Sequence, residues 1–191
     1  NGMFLQAILR HPRFISGDIS TNFIEQEYPQ GFAGAEMTPD DLKIFIGAAT
    51  TILLRDAERA AKISQQIPGR ERAIGASWVV NIDGEDYPVY VRVDGTEGYF
   101  ITQNRKLISV KTQWKLGQRL FQATVNDQPV NVQIKHLDEG YTLRHAGISV
   151  VAKIRPPRTA ELAQFMPKPK AGGGKAQLLA PIAGLVVSLK V

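Results

Sequence analysis

Histidine is the side chain best suited to acid–base or metal chemistry near neutral pH, and this sequence has three, at His11, His136 and His145. None of them has a partner at a metal-ligand spacing such as His-x-x-x-His. His11 precedes a proline, and the other two lie near the ends of strand-like runs. We therefore interpret all three as surface or rim residues without a catalytic or metal role.

Other reactive groups are equally scarce. The chain contains no Cys, which excludes disulfides, thiolate metal sites and a Cys nucleophile. The run Gly172-Gly173-Gly174-Lys175-Ala176 fails as a phosphate-binding loop, because Ala stands where Ser or Thr is needed and Pro169 replaces the first glycine. We interpret residues 167–177 as a flexible linker. Asp138-Glu139 is a pair of adjacent carboxylates in a turn and not a catalytic pair. Taken together, these residues predict no active site, metal site or bound cofactor in this chain.

One loop has the composition of a recognition element. Residues 68–77, here called the hook, join a predicted long helix to a predicted strand and are longer than a tight turn requires. Their candidate partner-contact residues are Arg70, Glu71, Arg72, Ala73 and Ile74. In this hypothesis Ile74 is an apolar anchor and the arginines form its rim. The alternative is an ordinary connection between two elements.

The charge balance does not select a partner. The net charge is +5 and the pI is near 9.5, which is compatible with an anionic partner or with a mildly basic surface. The basic residues are scattered, and this favours the basic surface. Seven aromatic residues could stack on nucleic acid, but on strands they more often pack in the core or at its rim: Tyr87, Tyr90, Tyr99, Phe100, Trp114, Phe121 and Tyr141. We therefore expect no nucleic-acid partner. Because no apolar stretch has membrane-spanning length, we expect no membrane partner either.

A long helix with an unusual composition should begin after Thr38. Thr38 is a good N-cap, Pro39 suits the first helical position, and Asp41 follows at capping distance. We predict a helix over 39–67, ended by Pro68-Gly69. Its first half is apolar in every direction, so it must be enclosed by protein rather than lie on a surface.

Beyond the hook the apolar residues alternate with period two. Eight strand-like runs are separated by turn pairs such as Asp83-Gly84 and Asn126-Asp127. The runs cover 78–83, 87–93, 98–104, 106–114, 119–126, 129–136, 141–146 and 148–154. A sheet wrapped around the helix gives both elements a core, which predicts an α+β fold: a long central helix inside an eight-stranded antiparallel β-barrel. A short helix at 159–165 should close this domain, at 38–166.

The two ends of the chain resemble pieces of other domains. Residues 1–37 contain a predicted helix and apolar anchors without a core of their own, as at the edge of an upstream domain. Residues 178–191 begin with a turn at Pro181 and Gly184 and continue as one strand, which cannot bury its own apolar face. We therefore expect the chain to be a piece of a larger protein that stops after the first strand of a C-terminal module.

Particular residues in these ends carry a family resemblance. They are His11-Pro12-Arg13-Phe14, Gly17, Thr21, Phe23-Ile24, Glu27-Tyr28-Pro29, Ala180-Pro181 and Gly184-Leu185-Val186. With a helix-in-barrel and a linker between them, the chain resembles the biotin-carrying α subunit of biotin-dependent acyl-CoA carboxylases, most closely propionyl-CoA carboxylase. Residues 1–37 are similar to the end of the biotin carboxylase domain, and 178–191 to the start of the biotinyl domain.

The resemblance implies a function for the parent and for this part of it. The parent carboxylates propionyl-CoA to methylmalonyl-CoA through carboxybiotin, using bicarbonate and ATP with Mg or Mn in an upstream domain. Biotin is attached in that family to the Lys of a Met-Lys-Met motif, which this sequence lacks; Lys190 precedes the expected position. Residues 38–166 would tie the α subunit to the carboxyltransferase β subunit, through the hook and the outer face of the barrel, without catalysing a reaction. The assembly would be a large α–β hetero-oligomer of the bacterial cytoplasm or mitochondrial matrix, with the chain's own biotin carboxylase and biotinyl domains as further partners.

Three alternatives remain at this stage. The same domain plan occurs in methylcrotonyl-CoA carboxylase. A barrel that binds a small ligand is disfavoured because the apolar helix would fill its cavity. A barrel that binds nucleic acid is the weakest option.

Overall fold

The computed structural model describes residues 2–64, 73–95 and 98–166. Arg70, Glu71 and Arg72 of the hook, the linker at 167–177 and the strand at 178–191 lie outside these ranges. The helices are α1 (Gly2–Arg10), α2 (Pro12–Ser16), α3 (Phe23–Glu27), α4 (Pro39–Ala61) and α5 (Pro157–Ala163). No helix within the described ranges is long and apolar enough to cross a membrane.

Eight antiparallel strands form a closed barrel in which each strand pairs with its neighbours in sequence and β1 closes on β8. The strands are β1 (Ser77–Ile82), β2 (Glu85–Asp94), β3 (Gly98–Gln103), β4 (Lys106–Lys111), β5 (Leu120–Val125), β6 (Gln128–Leu137), β7 (Gly140–His145) and β8 (Ile148–Arg155). The predicted fold class and the number of strands are therefore confirmed.

Two-residue turns with positive φ join several of the strands. At Asn126-Asp127 both residues have positive φ, 47° and 64°, and at Asp83-Gly84 the values are 50° and 98°. Turns of this hand match the twist of paired strands, and Asn, Asp and Gly are the residues that enter them at least cost. The residue pairs that the sequence indicated as turns therefore lie at hairpin turns in the structure.

Helix α4 lies inside the barrel. Nine consecutive residues, from Ile44 to Ile52, are buried, so the helix is covered on every side over more than two turns. Phe45, Ile46 and Ile52 are completely inaccessible to solvent and join inward-facing strand residues in one core. This confirms the inference that the all-apolar helix is enclosed by protein.

Small residues let the barrel close around the helix. The middle of α4 reads Gly47-Ala48-Ala49-Thr50-Thr51, so its backbone approaches the sheet closely. A Cβ at Gly47 would lie 3.0 Å from Cγ2 of Val110 on β4 and 3.7 Å from Cγ2 of Ile108. An eight-stranded barrel is ordinarily filled by its own side chains, and this run of small residues is what makes room for a helix.

Several element ends differ from the prediction. Helix α4 ends at Ala61 rather than near Ile67, since its last buried residue is Ala57 and a helix gains most of its stability from packing. Strand β4 ends at Lys111 rather than at Trp114, because the Thr112 hydroxyl donates to the carbonyl of Gln122 and turns the chain out of the ladder. Helix α5 begins two residues earlier than predicted, at Pro157.

The N-terminal helices pack against the turn between β7 and β8. The N–H of Gly147 donates to Oε1 of Gln6, and its carbonyl accepts from the N–H of Ala35. A Cβ at Gly147, where φ is +84°, would lie 2.9 Å from Cβ of Ala7. Glycine is therefore needed here both for the turn and for the close approach of α1.

A buried carboxylate joins this N-terminal segment to the start of α4. The Asp41 side chain accepts from the N–H and the hydroxyl of Thr38, at 3.1 and 2.6 Å, and the Asp41 N–H donates back to that hydroxyl. The Arg10 guanidinium lies 3.4 Å away. Burial by itself would raise the pKa of Asp41, but the hydrogen bonds and the cation outweigh burial, so the pKa lies below its ordinary value.

We expect Gly47→Leu to destabilise the barrel by about 1–3 kcal/mol, because the added side chain must displace Val110 and its neighbours. Urea unfolding followed by circular dichroism would measure the loss. Arg59→Leu adds a Leu at an exposed position of the same helix and should change stability by less than about 0.5 kcal/mol. Equal stabilities for the two variants would show that the barrel does not hold the helix tightly.

We expect Asp41→Asn to cost about 1 kcal/mol near neutral pH. A carboxyl with a depressed folded-state pKa stabilises the fold above its unfolded pKa of about 4, and the stabilisation is lost as pH falls through the folded-state pKa. The difference between wild type and variant should therefore narrow below about pH 4. Unfolding free energies measured across this range would test it, and a constant difference would contradict the role of the charge.

Candidate docking site

The described arm of the hook, residues 73–76, is exposed at its tip and held at its base. Ala73 and Ile74 are exposed, with Ile74 accessible to 36%. The indole N–H of Trp78 donates to the carbonyl of Gly75 at 2.7 Å, and the carbonyl of Ala76 accepts from Val91 N–H at 2.8 Å. The arm thus continues β1 along β2 and presents Ile74 from a fixed base.

Helix α4 precedes the hook in the chain, and its C-terminal turns are anchored to β3. The Tyr99 hydroxyl donates to Oε1 of Glu58 at 3.2 Å, and the Arg55 guanidinium lies over the Tyr99 ring at 5.5 Å. Arg55 also forms an ion pair with Glu58 at 3.5 Å. Burial raises the pKa of Tyr99 to about 12, with the Glu58 carboxylate adding to the effect and Arg55 opposing it, so this phenol stays protonated at neutral pH.

An exposed row of side chains crosses the outer face of β2, β3 and β4. Tyr90 pairs with Thr102, which pairs with Leu107, and both Tyr90 and Leu107 are 57% accessible. Beside this row the Arg92 guanidinium lies 5.2 Å from the centre of the Phe100 ring. We call these five residues the outer row. Isolated exposed apolar residues are ordinary, but a row of neighbours beside an exposed loop is a candidate docking surface.

The sequence predicted a contact on the outer face of the barrel but did not identify the outer row as its residues. Its signal was present, because Tyr90 and Leu107 are large apolar residues at positions where the period-two pattern points away from the core. Their alignment, however, depends on strand register, which a single strand pattern does not give. Of the aromatic residues considered above, Tyr99, Trp114 and Phe121 are buried, in keeping with core packing.

The three histidines have structural neighbours. His11 caps α2 by accepting from the N–H of Arg13, and Nδ1 of His145 lies 2.8 Å from the carbonyl of Asn131. The His136 ring contacts the Tyr141 ring edge-on at 4.9 Å. In the described part of the chain no group of three or more His, Asp or Glu side chains is placed to hold a metal ion.

The N-terminal residues quoted for the resemblance meet in one cluster. Arg13 donates to Glu27 at 2.6 Å, and His11 lies 3.3 Å from the other oxygen of the same carboxylate. The hydrogen bond from Arg13 holds the pKa of Glu27 below its ordinary value. Tyr28 packs edge-on against Phe4 at 5.2 Å. These side chains therefore fix the fold of the segment before α4.

Together these features define a helix-filled antiparallel barrel with an anchored loop and an exposed outer row. The model of the propionyl-coenzyme A carboxylase BT domain matches residues 45–168, and the chain belongs to this family. The matched residues include all eight strands and most of the central helix.

Similar proteins, each a propionyl-CoA carboxylase alpha chain, occur in bacteria and animals. The propionyl-CoA carboxylase alpha chain of Ruegeria pomeroyi is 34% identical over 189 residues, which are 98% of this chain and 28% of that protein. The mitochondrial alpha chain of Rattus norvegicus is 26% identical over 98% of this chain and 26% of its own length. The human one is 24% identical over 100% of this chain and 27% of its own length. The chain therefore spans little more than a quarter of the relatives it matches.

Proposed function

We propose that this chain is the part of a biotin-dependent propionyl-CoA carboxylase α subunit that binds the carboxyltransferase β subunit. The observation that carries the proposal is the family match, which extends over the whole helix-filled barrel. The alignment with propionyl-CoA carboxylase alpha chains over 98% of the sequence supports a parent protein of that kind. It also favours a propionyl-CoA enzyme over the methylcrotonyl-CoA alternative.

The barrel geometry suits a binding role. Helix α4 occupies the space in which a small ligand would have to lie, which disfavours the ligand-barrel alternative. The exposed features instead lie outside, where the described arm of the hook runs beside β2 and the outer row begins on the same strand. A rigid scaffold that presents a loop is a frequent arrangement for recognition. We infer that Ile74 and the outer row form one contact surface for the β subunit.

Tethering has a physical purpose in the proposed parent. Carboxybiotin forms at one active site and is consumed at another, where propionyl-CoA becomes methylmalonyl-CoA. Holding the subunits together raises the effective concentration of the carrier at the second site. A flexible linker at 167–177 would allow the biotinyl domain to move between the two.

The chemistry of the parent would lie outside this chain. ATP with Mg or Mn would bind in the upstream biotin carboxylase domain, and biotin would be attached in the biotinyl domain beyond Val191. Residues 1–37 would then be the end of the former domain, and 178–191 the start of the latter. The proposed setting is the bacterial cytoplasm or the mitochondrial matrix.

Size-exclusion chromatography of this chain with the carboxyltransferase β subunit of a propionyl-CoA carboxylase would test the proposal. Co-elution in a large complex is the expected result. The carboxyltransferase β subunit of a methylcrotonyl-CoA carboxylase is the matched comparison for partner choice. Separate elution of a folded chain from both would mean that residues 1–191 do not carry subunit association.

We expect Ile74→Asp to weaken binding of the β subunit about tenfold or more, as when a charge replaces an interface anchor. The fold should persist because Ile74 lies outside the barrel core. Ile15→Asp makes the same change at a residue of α2 that is 73% exposed and should leave affinity unchanged. Surface plasmon resonance would compare the two, and unchanged binding by the Ile74 variant would refute the hook assignment.

The contribution of the outer row is tested separately. We expect Leu107→Asp to weaken β-subunit binding about tenfold, whereas Val151→Asp, at an exposed position of β8, should have little effect. If the Ile74 variant loses affinity and the Leu107 variant does not, the hook makes the contact without the outer row. Circular dichroism would confirm that each variant is folded.

A further inference from the structure

Helix α5 and the turn after it line two grooves with opposite faces. The groove against β1 and β2, here called the β1–β2 groove, has a volume of about 560 Å³, and the groove against β7 and β8, here called the β7–β8 groove, about 480 Å³. Each set of lining residues follows the spacing of one helix face. The first set is Pro157, Ala160, Glu161 and Gln164, and the second is Thr159, Leu162, Ala163 and Met166.

The β1–β2 groove has an apolar floor outside the core. Val80 and Ile82 belong to the core, so Val79 between them faces outward. Val79 is nevertheless only 9% accessible, because α5 packs on this part of β1. Pro88 is its partner across the ladder, and Tyr90, on the same face of β2, is 57% accessible. The groove therefore offers valine, proline and tyrosine surface to an occupant.

The charge of the β1–β2 groove is negative. Asp86 and Glu161 line it, and its described lining contains no Lys, Arg or His. Asp86 accepts from the Asn81 amide through Oδ1, and Glu161 forms an ion pair with Arg158 at 3.0 Å. That pair is exposed on both sides, so it contributes little and can be exchanged for another cation. The groove thus favours an occupant that is both apolar and cationic.

The β7–β8 groove has the opposite balance of charge. Lys153 and Arg155 line it together with one carboxylate, Glu139. Lys153 already pairs with Glu139 at 3.0 Å, which leaves the lining with a net positive charge. A cationic segment that emerges from α5 is therefore directed away from this groove and toward the β1–β2 groove.

The residues that follow α5 have the composition that the β1–β2 groove favours. Beyond Met166 the sequence continues as Pro167-Lys168-Pro169-Lys170, which lies outside the described residues. Pro167 follows the lining residue Gln164 by three positions, a reach of at most about 10 Å. Alternating Pro and Lys favours an extended polyproline II conformation, which docks on tyrosine and proline surfaces at a low cost in entropy.

We propose that residues 167–170 dock in the β1–β2 groove as an extended segment. The prolines would pack against Pro88 and Tyr90, and the lysines would lie near the carboxylates of Asp86 and Glu161. The occupant is thus a part of this chain, selected by where the described residues end, by its charge and by its prolines.

Docking would divide the predicted linker into a held part and a free part. Residues 171–177, which include three consecutive glycines, would remain free, so a domain attached beyond them would search a smaller volume. Tyr90 and Thr102 belong both to this groove and to the outer row. A β subunit bound at the outer row would therefore compete with the docked segment. This consequence rests on the function proposed above, whereas the docking itself does not.

A spin label placed just after the segment tests the docking. The chain has no Cys, so Ala171→Cys provides a single site for a nitroxide. Paramagnetic broadening of amide signals would then be measured by NMR on the whole chain without the β subunit. We expect stronger broadening at Asp86 and Tyr90, in the β1–β2 groove, than at Gly140 and Lys153, in the β7–β8 groove.

Charge exchange between segment and groove identifies the contact. Lys168→Glu with Lys170→Glu should abolish the preferential broadening, because the segment would then carry the same charge as the groove. Adding Asp86→Lys and Glu161→Lys to that variant should restore it. The same spectra show whether each variant is folded.

Two further variants separate position and stiffness from net charge. Lys111→Glu with Lys115→Glu changes the net charge equally at exposed sites that line neither groove of α5, and it should leave the broadening unchanged. Pro167→Gly with Pro169→Gly keeps every charge but gives the free segment more conformations, so the ratio of docked to free segment should fall about fivefold.

Three outcomes would overturn the proposal. They are equal or stronger broadening in the β7–β8 groove, preferential broadening that survives Lys168→Glu with Lys170→Glu, and no restoration by Asp86→Lys with Glu161→Lys. None of them bears on subunit association, since the β subunit is absent from the sample. Failure of the β subunit to co-elute with the chain would likewise leave the docking result unaffected.

Discussion

The structure depends on the burial of one helix from all sides. Residues 44–52 of α4 have no solvent-facing side, so the helix can be stable only inside the barrel. The barrel depends equally on the helix, because the strand side chains that point inward would otherwise face a void. The small residues Gly47-Ala48-Ala49-Thr50-Thr51 reconcile the two, since they let the sheet close at a short distance from the helix axis. The helix therefore occupies the space inside the barrel, which disfavours an internal ligand cavity.

The sequence predicted this arrangement because its local signals agreed with one another. Alternating apolar residues defined strands, and pairs such as Asn126-Asp127 marked the places where paired strands reverse. An all-apolar helix then needed an enclosure that eight strands could supply. The ends of elements were predicted less well where tertiary packing decides them. Helix α4 ends at Ala61, four residues after its last buried residue, Ala57, because a helix gains most of its stability from packing. Strand β4 stops because a Thr112 hydroxyl replaces a backbone partner, and no propensity reports that event.

The candidate docking site shows the same division between local and long-range information. The hook was identified from its length and composition, and its residues Ala73 and Ile74 are exposed in the structure. The base of its described arm is held by the Trp78 indole, which donates to Gly75, and by the N–H of Val91 on β2, which donates to Ala76. The second bond depends on strand pairing, which the sequence of the hook does not show. The residues of the outer row were not identified for a related reason. Tyr90, Thr102 and Leu107 become neighbours through the register of three strands, and a shift of one residue would turn each side chain to the other face.

A barrel that must hold a helix has little freedom to change shape, because moving any strand opens a gap at the helix surface. Recognition is then expected at places where the regular ladder is interrupted or extended, since these can change without disturbing the core. The hook arm, which extends β1 along β2, is such a place.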